Sequence, residues 1–288
     1  MTMTFFQYVK AVLDEGYYDL QKSHKKTTDR KIQTALKKLS DSFANDLTDP
    51  DADSVNYSSD LTRLAYVYCY TTCHARIVDC VLRKQLKNLK IFDKEKLVVS
   101  CVGGGPGSDY LGIVRYLEDT GYTGKLQCYL LDREEAWGDM WSDLGSRWEG
   151  LDFQPSTYFQ RFDVTDNQSW TIQKKYQKAD LFTFCYFVSE VYKLDPNEYF
   201  LHLFDHAKDG SVFLYIDNDS TEFTDWFDNL IQRAGITEIV SDTVVCPNPC
   251  NKTLPIEEEK NDLEPYLTKF GRSPRLKARV KCKTYIKK

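Results

Sequence analysis

The spacing of hydrophobic residues differs between the first third of the chain and the remainder. In the first third, apolar side chains recur every three or four positions, as at Phe5, Val9 and Val12. This is the period of an amphipathic helix. Residues 1–93 are therefore predicted to form an N-terminal helical region.

A polar stretch over 46–60 interrupts this helical pattern and predicts a linker. Ser59 or Asp60 then stands where a helix N-cap is expected, immediately before the amphipathic run 61–86. The predicted arrangement is two helices, a linker and one long helix.

From residue 94 onward, short runs rich in β-branched and aromatic residues alternate with helical runs. The strands are predicted at 96–102, 125–132, 158–164, 179–187, 211–217, 236–246 and 275–286. The helices are predicted at 108–119, 135–147, 168–177, 196–207 and 221–235. Alternation of this kind predicts a mainly parallel, doubly wound α/β sheet. The last two strands have no clear helix between them, so they are predicted to pair antiparallel at one edge.

A glycine-rich turn joins the first of these strands to its helix in the sequence VGGGPGSDYLG, which begins at Val102. Backbone amides at such a turn and helix start favour anionic groups, and ligands of open α/β sheets bind at the carboxyl ends of the strands. Ser108 or Asp109 is predicted to cap the helix. The second and third strands end in Asp132 and Asp163, which places two carboxylates at the same rim.

The ordered motifs GGGPGSD, LLDRE and FDVTD resemble those of the class I S-adenosylmethionine-dependent methyltransferases. The resemblance covers residues 96–288, and the order of the elements matches, including the antiparallel final strand. It implies a Rossmann-like methyltransferase fold with seven strands, here with an N-terminal helical cap over 1–93 and a cofactor-binding domain over 94–288.

The resemblance also implies a set of residues around S-adenosylmethionine. Glycines of the turn would lie under the methionine part, Asp132 and Arg133 would bind the ribose, and Asp163 and the Val164 amide would bind the adenine. Cys185 would border the methyl group, and Tyr70 would contact the cofactor from the N-terminal region. The glycines are Gly103, Gly104, Gly105 and Gly107.

Candidates for the transfer step follow the fourth strand in the sequence YFVSEVY. Glu190 could accept a proton or hold a cationic amine, and Tyr186 would lie next to the methyl group. An equally good interpretation is that Ser189 and Glu190 cap the helix that starts near residue 194. The fourth strand lacks the N/D-P-P-Y/F motif of many enzymes that methylate base amines.

Aromatic residues along the helix 61–86 allow two interpretations. Tyr66, Tyr70 or Arg76 could reach the cofactor carboxylate or the acceptor, or the rings could pack against the sheet, which is the favoured interpretation for most of them. Trp137 also allows two interpretations. Its ring could cover the adenine, but a position in the core is favoured.

The composition narrows the function classes. A hydrophobic content of 42% permits a large core, and no run approaches the roughly 18 apolar residues of a membrane span. The nine cysteines are an odd number, and several of them lie within apolar patterns, which indicates reduced thiols. The first residues do not resemble a signal peptide. A cytoplasmic protein is expected, with a nuclear location as the alternative.

Charge and metal-ligand patterns leave alternatives open. The net charge of −5 gives no general attraction to nucleic acid, but Lys22–Lys38 and Lys269–Lys288 are basic. The second stretch is interpreted as a half-buried edge strand. The pairs His202/His206 and Cys246/Cys250 lack further ligands and make weak metal sites.

The preferred function is methyl transfer to an O or N acceptor of a small molecule. The alternatives are RNA methylation, if both basic stretches border the pocket, and a non-catalytic S-adenosylmethionine-binding module. The second alternative would be favoured if Trp137 blocked the glycine turn or if Asp132 faced away from it.

Overall fold

The computed structural model describes residues 3–45, 55–145, 150–172, 174–246 and 260–288. Its centre is one sheet with the strand order β3-β2-β1-β4-β5-β7-β6. The strands are β1 Lys96–Val102, β2 Lys125–Asp132, β3 Gln154–Arg161, β4 Leu181–Cys185, β5 Val212–Asn218, β6 Thr237–Cys246 and β7 Ala278–Ile286. The first five strands are parallel to one another, and β7 runs antiparallel to both β5 and β6. The predicted seven-stranded, mainly parallel α/β fold is confirmed.

Helices flank both faces of the sheet and form the N-terminal region. They are α1 Phe5–His24, α2 Thr28–Asn45, α3 Asp60–Tyr66, α4 Thr72–Val81, α5 Ser108–Asp119, α6 Trp137–Gly145, α7 Asn167–Thr171, α8 Val188–Val191, α9 Asn197–His206, α10 Thr221–Arg233 and α11 Lys260–Phe270. Within the described ranges, no helix combines the length and the apolar character that crossing a bilayer requires.

The long helix predicted over 61–86 is divided by two π-helical segments, Val67–Thr71 and Leu82–Leu86. The predicted cap is confirmed at Ser59, whose side chain accepts a hydrogen bond from the Thr62 amide. π-helical turns inside helices occur frequently at functional sites. The first segment contains Tyr70, one of the predicted cofactor contacts.

The third strand begins and ends earlier than the predicted 158–164. β3 is an edge strand whose side chains are mostly exposed, so its residues carry little hydrophobic signal. Phe162 and Val164, which suggested a strand, are buried in the core after β3 has ended. The chain turns there because the Asp163 amide donates to Ser169 Oγ at 3.0 Å.

The end of the chain departs from two predictions. Helix α11 lies between β6 and β7, where no helix was predicted; Pro265 and its charged residues weaken the helical signal. The helix is held by packing, since the Tyr266 and Phe270 rings contact the Tyr68 ring at centroid distances of 5.9 and 4.8 Å. The interpretation of the last basic stretch as an edge strand is wrong, because β7 pairs with β5 on one side and β6 on the other.

The N-terminal helices pack closely on the sheet domain. At Gly112 in α5, an added Cβ would lie 2.5 Å from the Ala75 carbonyl oxygen of α4, so the two helices touch through their backbones. This contact brings the C-terminal part of the 61–86 region against the helix that follows the glycine turn. The N-terminal region is thereby positioned over the carboxyl end of β1.

Candidate functional site

A cavity of about 420 Å³ lies at the carboxyl ends of β1, β2 and β4 and at the exit of β3. We call the side that contains Gly103, Asp132 and Asp163 the strand-end wall. We call the side that contains Phe43, Tyr57 and Tyr66 the helical wall. Ligand pockets in proteins usually occupy about 300–1,000 Å³, so this cavity has room for a nucleoside-sized ligand.

The glycine turn makes close approaches to the protein's own side chains. A Cβ on Gly103, which has φ +65°, would lie 2.0 Å from Phe187 Cδ2. A Cβ on Gly104 would lie 2.5 Å from Leu130 Cδ1, whereas Gly105, at φ +49°, has open space around its Cβ position. Of the four predicted glycines, Gly103 lines the cavity, and Gly107 is the N-cap of α5 with φ +88°.

Asp132 faces the cavity from the end of β2. Its Oδ2 accepts a hydrogen bond from the Gly105 amide at 2.9 Å, and its Oδ1 accepts one from the Glu134 amide at 3.0 Å. Burial raises the pKa of Asp132 to about 6, and these amide bonds oppose that rise. The carboxylate is held in one orientation, with further lone pairs available to hydroxyl groups of a ligand.

Asp163, Val164 and Arg133 also lie in the cavity wall, as predicted. Asp163 Oδ1 accepts hydrogen bonds from the Thr165 amide at 2.9 Å and from Thr165 Oγ1 at 2.7 Å, which fixes its carboxylate. Val164 is 8% exposed and contributes apolar surface. The exposed Arg133 is at the solvent side of the site.

Cys185 is the last residue of β4, Tyr186 follows it, and both line the same cavity. Tyr186 adopts φ +54°, a left-handed conformation that is strained for a bulky residue. Its ring stacks on the His74 ring at a centroid distance of 4.1 Å, and its buried hydroxyl has no hydrogen-bond partner in the described part of the chain. Strained backbone and unsatisfied polar groups concentrate at functional sites.

Glu190, which with Tyr186 is predicted to be catalytic, lines the cavity from α8. Burial, together with the nearby Asp132 carboxylate, raises the pKa of Glu190 to about 8. Tyr57 Oη donates a hydrogen bond to Glu190 Oε1 at 3.2 Å, which joins the helical wall to the strand side. Glu190 is at the first turn of a four-residue helix, but its carboxyl group faces the cavity, so the capping interpretation does not describe its side chain.

Tyr70 lies outside the main cavity, in the wall of a smaller recess of about 30 Å³ next to it. The Tyr66 ring lines both spaces, and its hydroxyl lies 3.3 Å from His74 Nδ1. Arg76 does not reach either space; its guanidinium donates to the Leu276 carbonyl at 3.3 Å. An arginine does line the recess, but it is Arg275, which precedes β7.

Two buried carboxylates support the site from behind. Asp109 does not cap α5; Thr183 Oγ1 donates to its Oδ2, and burial raises the pKa of Asp109 to about 7. Asp217 accepts hydrogen bonds from the Ser189 amide at 2.9 Å and from the Asn218 amide at 2.7 Å, and burial raises its pKa to about 6. Asp217 thereby positions the segment that carries Glu190.

Sequence reasoning did not identify Tyr57 or Arg275 as site residues. Tyr57 lies in a polar linker and Arg275 begins a predicted basic strand, and neither position carries a sequence signal for a binding site. Their convergence depends on tertiary contacts such as the hydrogen bond from the Arg275 amide to the Cys69 carbonyl at 2.9 Å. Asp217 differs from these two residues, because its place at the end of the predicted strand 211–217 does predict a position at the rim of the sheet.

The remaining sequence candidates lie elsewhere. Trp137 is 1% exposed and packs against the rings of Tyr57 and Tyr66 at 5.6 and 5.8 Å, which is a core position. His202 Nε2 lies 3.1 Å from Gln177 Nε2, and His206 Nδ1 lies 3.0 Å from the His202 carbonyl. Among the described residues there is no cluster of three metal-ligating side chains. Cys250 falls outside the described residues.

Comparison with known proteins finds relatives by structure alone. No protein-family model matches the sequence, and no curated protein is similar to it in sequence. Solved structures of methyltransferases share its fold. An O-methyltransferase family protein from Burkholderia thailandensis has a TM-score of 0.50 at 14% identity, over 89% of this chain and 70% of the other.

Two further structures have lower TM-scores. A candidate class I S-adenosylmethionine-dependent methyltransferase from Listeria monocytogenes has a TM-score of 0.49 at 12% identity, over 98% of this chain and 88% of the other. A candidate RNA methyltransferase from Pyrococcus horikoshii has a TM-score of 0.44 at 13% identity, over 74% and 83%. The chain has the class I methyltransferase fold, and the fold alone does not identify a substrate.

Proposed function

We propose that the protein is an S-adenosylmethionine-dependent methyltransferase that transfers a methyl group to an O or N acceptor of a small molecule. The observation that carries this proposal is Asp132. Its carboxylate stands at the end of β2 and faces the cavity, and backbone amides hold both of its oxygens. A fixed acceptor at this position suits the paired hydroxyls of a ribose.

The rest of the strand-end wall fits the same ligand. Asp163 can accept from the exocyclic amine of an adenine, and Val164 and Phe162 supply apolar surface for its ring. The Asp132 and Asp163 carboxylates give the cavity a negative character that suits a ligand with a cationic sulfonium and an ammonium group. When bound, S-adenosylmethionine supplies an electrophilic methyl group, and the protein contributes position and exclusion of water.

Glu190 is the proposed proton acceptor. With a pKa of about 8, raised by burial and by the Asp132 carboxylate, it holds its proton near neutral pH. A positive charge within a few ångströms favours the ionised form of a carboxylate, so a bound cation would release that proton. The residue then becomes a base at the moment the site is loaded.

The alternatives receive less support. A non-catalytic S-adenosylmethionine-binding module would be favoured if Trp137 blocked the glycine turn or if Asp132 faced away from it. In the structure, Trp137 packs in the core and Asp132 faces the cavity. RNA methylation would need both basic stretches beside the cavity, but no residue of the stretch Lys22–Lys38, which the structure describes in full, lines the cavity or the recess next to it.

The direct test is calorimetric titration of the purified protein with S-adenosylmethionine and S-adenosylhomocysteine, with NAD as the control. We expect micromolar binding of the first two ligands and no binding of NAD. The proposed function would be overturned if neither S-adenosylmethionine nor S-adenosylhomocysteine bound.

A further inference from the structure

The recess beside the main cavity has a composition of its own. It holds about 30 Å³, and since one water needs roughly 10–15 Å³ by this measure, it has room for about two water-sized groups. Five residues line both spaces, so the recess opens into the cavity. They are Phe43, Tyr66, Tyr186, Ser189 and Glu190.

Opposite charges lie on the walls of this small space. Glu190 lies where the recess meets the main cavity, and Arg275, an exposed residue, lies on its outer side. The side chain of Arg275 makes one hydrogen bond among the described residues, from Nε to the Lys277 carbonyl at 3.4 Å. Its terminal nitrogens therefore remain available to an anion, and a guanidinium binds a carboxylate with two parallel hydrogen bonds.

Aromatic rings surround the space between these charges. Tyr66 and Tyr70 lie 5.4 Å apart, and Phe43 contacts Tyr70 edge-on at 5.1 Å. His74 is 4% exposed, and burial lowers its pKa to about 3, so the ring is uncharged at neutral pH. Ring faces attract an ammonium group, and an uncharged histidine does not repel it.

We propose that the recess, with the part of the main cavity into which it opens, binds the amine and carboxylate of a small amino acid, with the amine against Glu190 and the carboxylate against Arg275, and that this amine is the methyl acceptor. The inference rests on the proposed function. Because the recess is small, we expect the two groups to lie close together, as they do in an α- or β-amino acid. A longer diamine or an uncharged alcohol would leave Arg275 unused.

Methyl transfer to this amine moves one proton and one methyl group. The amine loses a proton to the ionised carboxylate of Glu190, and the lone pair on its nitrogen then forms the bond to the methyl carbon. The bond between that carbon and sulfur breaks, and its electron pair stays on the sulfur. The products are the N-methylated amino acid, a neutral thioether and protonated Glu190, which returns its proton to water.

The cofactor's own carboxylate is a competing partner for Arg275. The structure favours the substrate, because Arg275 lines the recess and does not line the main cavity. The main cavity has cations of its own in Arg133 and Lys193. The two assignments differ in a measurable way, since loss of Arg275 would weaken cofactor binding under the competing assignment only.

The experiment compares amino acids with the amines that lack their carboxylate. The protein, saturated with methyl-labelled S-adenosylmethionine, is assayed with the twenty common amino acids and β-alanine. Each active compound is then compared with its decarboxylated partner, for example histidine with histamine or phenylalanine with phenethylamine. We expect at least one amino acid to accept the label with kcat/KM at least about tenfold above that of its partner, since a charged hydrogen bond contributes about 1.5–3 kcal/mol.

Two variants identify the residue responsible. Arg275→Met should raise KM for the amino acid about tenfold or more, remove the preference over the amine, and leave the Kd for S-adenosylmethionine within about twofold. Arg272→Met is the matched control: Arg272 is exposed three positions earlier and lines neither space, so the preference should survive.

The outcomes separate this inference from the function on which it rests. If the protein binds no S-adenosylmethionine, the proposed function fails. If the cofactor binds but no amino acid is methylated, or amines without a carboxylate react equally well, only the present inference fails. Weaker cofactor binding by Arg275→Met with the substrate preference intact would assign Arg275 to the cofactor instead.

Discussion

The two walls of the cavity are held by different kinds of contact. On the strand-end wall, Asp132 and Asp163 accept hydrogen bonds from amides two residues further along the chain, at Glu134 and Thr165. On the helical wall, Tyr66 is held mainly through aromatic rings, with centroid distances between 5.4 and 6.3 Å. One wall is fixed locally by the backbone, and the other is fixed by packing between distant segments.

This difference assigns the two walls different tasks. Groups fixed by backbone amides keep their orientation without a ligand, which suits recognition of an invariant cofactor. Ring packing has no comparable directionality and adapts to shape. We therefore expect substitutions on the strand-end wall to affect cofactor binding, and substitutions on the helical wall to affect the acceptor.

The largest expected effect is at the glycine turn. Gly103→Ala adds a methyl group 2.0 Å from the Phe187 ring at a residue with φ +65°, so strain and overpacking should together lower the free energy of unfolding by about 2–4 kcal/mol. Gly105 has φ +49° but open space around its Cβ position, so Gly105→Ala should lower the free energy of unfolding by only about 1 kcal/mol. Denaturant unfolding measures both values.

The double variant Gly103→Ala/Phe187→Leu should recover part of the loss, because the smaller side chain removes the clash. Equal losses for the two single alanine variants would show that the conformation of the turn, and not the Phe187 ring, requires the glycine. In that case the close packing of the strand-end wall against Phe187 would make no measurable contribution to the free energy of unfolding.

The second effect concerns recognition of the cofactor. Asp132→Ala should raise the Kd for S-adenosylmethionine about 10- to 100-fold, because hydrogen bonds to a charged group contribute about 1.5–3 kcal/mol each. Asp132→Asn retains one carbonyl oxygen as an acceptor, so its Kd for S-adenosylmethionine should fall between those of the parent protein and Asp132→Ala. Calorimetry gives the affinities, and Glu135→Ala, at an exposed neighbouring carboxylate, is the control. Unchanged affinity in a folded Asp132→Ala protein would remove this residue from the site.

The strand-end wall could be predicted from the sequence because the topology of the sheet determines it. Residues that follow parallel strands meet at one rim, so the positions of Asp132 and Asp163 followed from finding strands β2 and β3. This inference tolerated an error of several residues in β3, since Asp163 lies just beyond the strand rather than at its last residue. The glycines were also found, but the group close to Gly103 is the protein's own Phe187.

The helical wall could not be predicted in the same way. Tyr57 and Glu190 are 133 positions apart, and Arg275 reaches the Cys69 carbonyl from the other end of the chain. No period or motif relates such residues. Helix α11 was missed for the same reason, because Pro265 weakens its local signal and its place depends on packing against Tyr68.

A third prediction uses the pH dependence of stability to test the environment of Glu190. Its pKa is about 8 in the folded protein and near 4.5 when unfolded, so the folded state binds more protons between these values. Stability should therefore fall as pH rises from about 4.5 to 8. Glu190→Gln removes this titration, and its free energy of unfolding should exceed that of the parent protein by up to about 4 kcal/mol at pH 8, with the difference shrinking toward pH 5.

Denaturant unfolding at several pH values measures this difference, with Glu135→Gln as the exposed control. The same Glu190→Gln protein should bind S-adenosylmethionine nearly as well as the parent but transfer its methyl group more slowly. A constant stability difference across the pH range would mean that Glu190 is ionised throughout. Normal turnover would reject its role as the proton acceptor.

The smallest expected effect is at the hydrogen bond that joins the two walls. Tyr57 donates to Glu190 Oε1, which favours the ionised carboxylate and lowers its pKa. Tyr57→Phe keeps the ring contacts with Tyr66 and Trp137 but removes this bond, so the pKa of Glu190 should rise further and stability should change by less than about 1 kcal/mol. The measurement is the displacement of the pH profile of kcat toward higher pH, with Tyr158→Phe, at a half-exposed ring on β3, as the control.

Because the Tyr57 hydroxyl contacts the acceptor side of the cavity, the Kd of Tyr57→Phe for S-adenosylmethionine should equal that of the parent protein. A loss of cofactor affinity as large as that of Asp132→Ala, without a shift of the profile, would show that the two walls do not divide the work.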